Sequence, residues 1–74
     1  LKLFTLWTVY NRPVDYPKHF VARRFEVQPG GRLVTTDDVL TGETLDGVRE
    51  QLPRGLHRVV RQPGDLPSIM ETWI

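Results

Sequence analysis

Six stretches of this chain carry a regular apolar and polar pattern, and the breaks between them fall at Pro, Gly, Asn and Asp. The first, Lys2 to Tyr10 (KLFTLWTVY), is rich in aromatic and β-branched residues and free of Gly and Pro, which predicts a strand. It sets Leu3, Trp7 and Val9 on one face and Phe4, Leu6 and Tyr10 on the other. A strand apolar on both faces belongs in the centre of a sheet or under two covers. Asn11 to Pro17 (NRPVDYP) holds prolines that fix φ and cannot donate to a ladder, so an ordered surface loop follows. Phe20 to Val27 (FVARRFEV) predicts a second strand. Pro29-Gly30-Gly31 then gives a turn with glycines free to take positive φ, and Leu33 to Thr36 returns as the third strand of a hairpin.

The spacing changes once. In Thr44 to Leu52 (TLDGVREQL), Leu45, Val48 and Leu52 fall at i, i+3 and i+7, one stripe of a helix. Thr44 suits the N-cap, Asp46 suits the positive end of the helix dipole, and Pro53 with Gly55 stops the helix. Gly47 inside it costs about 1 kcal/mol relative to Ala. Leu56 to Val60 predicts a fourth strand, Gln62 to Pro67 a connecting loop, and Ser68 to Ile74 (SIMETWI) a fifth strand. That last strand sets Ile69 and Trp73 on one face and Met70 and Ile74 on the other. The order β-β-β-α-β-β predicts a single small α+β domain over residues 1–74, with one helix packed on a face of a mainly antiparallel sheet.

Composition narrows what such a domain can be. With 74 residues, 39% hydrophobic and 26% charged, the chain is too apolar for a disordered tail and has room for one thin core. Small domains add disulfides, a metal or a partner chain; the absence of cysteine removes the first, fits a reducing compartment and leaves oligomerisation as the expected support. A net charge of +1 gives no general pull toward nucleic acid or anionic membrane. No apolar run approaches the ~20 residues of a membrane span, and no signal-peptide pattern is visible. The chain opens on Leu1 rather than Met, which points to a short N-terminal piece trimmed or left out.

Few residues suggest chemistry. Asp15 and His19 are four apart, but Pro17 between them argues against the helix a metal pair would need; they read as surface residues, as does His57. Asp37 and Asp38, with Glu43, have hard-cation chemistry, yet adjacent acids before a helix read as loop and dipole residues. Ser68 stands in PSI rather than in a nucleophile elbow, and Gly30-Gly31 lacks the Lys-Ser/Thr of a phosphate loop. Neither a catalytic residue nor a cofactor is expected.

Two surface readings remain. Arg23 and Arg24 on the second strand, with Arg54, His57, Arg58 and Arg61 near the fourth, form a basic patch if those strands are neighbours, and Tyr10, Tyr16 and Phe20 then offer rings for bases. The plainer alternative pairs the arginines with Asp37, Asp38, Glu26 and Glu71 on a solvated face. Trp7, Tyr10, Tyr16, Trp73 and Ile74 are candidates for a partner contact, against the plain reading of Trp7 and Trp73 as core.

The wording of Trp7 to Arg24 (WTVYNRPVDYPKHFVARR) and Leu52 to Ile74 (LPRGLHRVVRQPGDLPSIMETWI) resembles a group of short bacterial proteins of unassigned function, some carried by phage or mobile gene cassettes. Members of that group tend to have an acidic residue in the helix where this chain has Gly47. The resemblance implies a cytoplasmic bacterial accessory protein and supplies no catalytic residue. The sequence therefore favours a non-catalytic protein-interaction module, a homodimer contacting its copy through the last strand or, if that strand lies mid-sheet, through Lys2 to Tyr10. A weak nucleic-acid-binding accessory protein comes second, and a small enzyme or toxin third.

Overall fold

A computed structural model describes residues 4–74 of the chain. Its strands are β1 (Phe4–Asn11), β2 (Phe20–Gln28), β3 (Arg32–Gly42), β4 (Arg58–Val60) and β5 (Ile69–Trp73), and its helix is α1 (Leu45–Gln51) between β3 and β4. The strands form one antiparallel sheet in the order β3-β2-β1-β5-β4. The fold is thus α+β, with the two-faced first strand at the centre. Lys2 and Leu3, assigned above to that strand, lie outside the described residues.

Local chemistry accounts for the joints. Gly30 and Gly31 take φ of 88° and 82°, and Gly31 N–H donates to the Gln28 carbonyl at 3.0 Å. Pro followed by a positive-φ Gly is the signature of a type II turn, which closes the β2–β3 hairpin. Thr44 caps α1 as the sequence suggests: its backbone is extended and its hydroxyl accepts from Gly47 N–H at 3.0 Å.

The helix stripe enters the core. Val48 is fully buried and Leu52 nearly so, against Trp7, Val9 and Ala22 of the sheet, with Leu45 packed alongside. Gly42 makes this approach possible. A Cβ at that position would lie 3.0 Å from Val48 Cγ2 and 3.1 Å from Val48 N. Gly42→Ala is therefore expected to push α1 off the end of β3 and cost about 1–3 kcal/mol, as overpacking does. Urea denaturation of the two proteins checks this; equal midpoints would show that the helix gives way freely.

Two features depart from the sequence reading. β3 runs on through Asp37 and Asp38 to Gly42, well beyond Thr36. The acids sit where the β2–β3 register shifts between Arg23 and Phe25, at an irregularity in an edge strand where solvent and Arg24 tolerate them. The second is a shift in the β1–β5 register, which puts Trp73 opposite Trp7 but Ile69 opposite Tyr10. Ile69 and Trp73 consequently lie on opposite faces of the sheet, not on the same one.

Candidate interaction surface

Directly opposed residues of antiparallel strands share a face. Trp7, Val9, Ala22 and Leu40 belong to the core cluster beneath α1, so their partners in register mark the helix side. The alternate residues face the other way, and no helix covers them. At the hairpin end of that open face two rows cross the sheet: Phe4, Val27 and Leu33, then Leu6, Phe25 and Thr35. Phe4 is 53% exposed and Leu33 57%. Large apolar side chains cluster here without cover, a pattern that in a folded protein marks an interaction site.

The other end of the open face is walled. The segment after β1 is fixed by hydrogen bonds from Arg12 N–H to the His19 carbonyl, from Tyr16 N–H to the Pro13 carbonyl and from His19 N–H to the Tyr16 carbonyl. This is the ordered loop its prolines suggest. It brings Asp15 into an ion pair with Arg23. The Arg23 guanidinium lies 5.8 Å from the Tyr10 ring centroid and 5.9 Å from that of Tyr16, within cation–π range. Val21, beside Tyr10 in register, is fully buried here. Burial pushes the Tyr10 phenol up; Arg23 opposes this and Asp15 adds to it.

The remaining candidates fall elsewhere. β2 and β4 are separated by β1 and β5, about 14 Å at ordinary strand spacing, so the arginines do not form one patch. Arg23 is engaged as above, and Arg24 on the opposite face meets Asp38 at 2.6 Å and Glu26 at 3.5 Å. Arg58 lies 3.9 Å from Glu71, and Arg61 donates to the Asp65 carbonyl. Arg54 is exposed in the turn after α1, and His57 is exposed just before β4, where it exchanges backbone hydrogen bonds with Ile74. Trp7, 7% exposed, is a core residue and out of reach of a partner. Trp73 is half-buried on the helix side beside it, while Tyr10 and Tyr16 belong to the wall of the open face.

Neither β5 nor β1 is an edge, so both strand-pairing versions of the dimer contact fail. The true edges are β3 and β4, and both are blunted. β3 carries the irregular stretch with its acids, and the Gln51 side chain donates to its Thr41 carbonyl at 2.8 Å. β4 has three residues, and the Gln62 side chain donates to its Val60 carbonyl at 2.9 Å.

Glu71, expected above as a solvated partner of the arginines, instead anchors a buried cluster that the sequence reading did not assemble. Glu71 on β5 is 3% exposed, opposite Val9, and accepts from Arg49 of α1 through Nε at 2.9 Å and a terminal nitrogen at 2.5 Å. Trp73 Nε1–H donates to the same carboxylate at 2.5 Å. Burial alone would raise this carboxyl, but the hydrogen bonds from Arg49 and Trp73 and the charges of Arg49 and Arg58 outweigh it and hold it below the ordinary value. A lone acid inside the apolar run SIMETWI was the available signal. The clasp ties α1, which packs on β2 and β3, to the far half of the sheet.

Among the described residues no pocket opens, no three ligating side chains gather for a metal, and no helix is long and apolar enough to cross a membrane. Comparison with family models, curated proteins and solved structures returns no match.

Proposed function

We propose that this chain is a non-catalytic protein-interaction module whose binding surface is the helix-free face of its sheet. The observation that carries this reading is the uncovered apolar cluster of Phe4, Leu6, Phe25, Val27 and Leu33, with Phe4 and Leu33 more than half exposed. Interface cores are poor in charge and rich in aromatic residues, as this face is. The resemblance noted above adds the setting of a bacterial cytoplasmic accessory protein. A photo-reactive phenylalanine analogue at position 25 tests the surface, with Glu50, exposed on the helix, as the comparison position. Adducts of protein mass from position 25 alone, unchanged by nuclease, are expected; adducts from position 50 alone, or none, would contradict the proposal.

The divided arginines argue against nucleic acid as the principal partner. Any such binding is expected to rest on a few phosphate contacts and to vanish near physiological salt through counterion return. A fluorescence-anisotropy titration across salt checks this. Tight binding at physiological salt, lost in Arg58→Ala/Arg61→Ala, would make nucleic acid the main ligand.

A further inference from the structure

We draw no further inference here: the strongest candidate, the apolar patch of Phe4, Leu6, Phe25, Val27 and Leu33 at the hairpin end of the helix-free sheet face, belongs to the surface already described, and nothing in the structure shows what covers it.

Discussion

Glu71→Gln is expected to destabilise the fold by about 2–4 kcal/mol, because it takes from the Arg49 guanidinium its buried counter-charge and leaves only the exposed Asp46, 3.5 Å away. For a chain of this length, total stability is roughly 4–11 kcal/mol, so the variant should lose a large share of it. The same carboxylate gives the protein a pH dependence. Its folded-state pKa lies below the unfolded value, so its contribution is fully present above the ordinary carboxylate range. That contribution is lost as pH falls through the depressed value. Urea denaturation at neutral and acid pH should therefore show a wild-type advantage over Glu71→Gln that shrinks in acid. Replacing both partners, Arg49→Met with Glu71→Leu, should restore part of the loss, since the apolar pair carries no ionic desolvation cost but leaves the Trp73 Nε1–H without its acceptor. A double variant as weak as the sum of its parts would mean that the clasp is not the source of the effect.

Trp7→Ala is expected to cost about 3–5 kcal/mol, enough to leave much of the chain unfolded at room temperature. Trp7 packs in the core with Val9, Ala22, Val48 and Leu52, and its loss opens a cavity between the helix and the sheet. Phe4→Ser removes an aromatic ring from the same strand, on the other face, and should lower monomer stability by no more than about 2 kcal/mol, because about half of the residue lies in solvent. Denaturant titration at low protein concentration, where self-association does not contribute, makes the comparison. Similar losses from the two substitutions would show that the open face is packed after all.

The contrast between these two residues shows what the sequence could reveal. Period-two alternation in the first strand separates Trp7 and Val9 from Phe4 and Leu6, and the 3.6-residue stripe of Leu45, Val48 and Leu52 finds the helix and its buried side. Pro29-Gly30-Gly31 and Thr44 mark their joints because each has one dominant backbone preference. Strand order is another matter. It depends on which hairpins stack beside which, and nothing local in Ser68 to Ile74 says that β1 and β4 will flank it. Without that order, the separation of Arg23 from Arg58 and the loss of the last strand as an edge could not be read. Register shifts are equally silent: one moves Ile69 to the face opposite Trp73, and another lets Asp37 and Asp38 continue β3. The Glu71 clasp depends on the strand order, since a helix on β2 and β3 reaches β5 only through the length of the Arg49 side chain.

The most direct measurement of the interaction surface is methyl relaxation in solution with a neutral gadolinium probe. Leu33 methyls should be enhanced about as strongly as those of exposed Leu66, and Leu6 and Val27 methyls more than those of buried Val9 and Val48. Leu6, Val27 and Leu33 methyls as protected as those of Val9 and Val48 would contradict the assignment of the open sheet face as an uncovered binding surface.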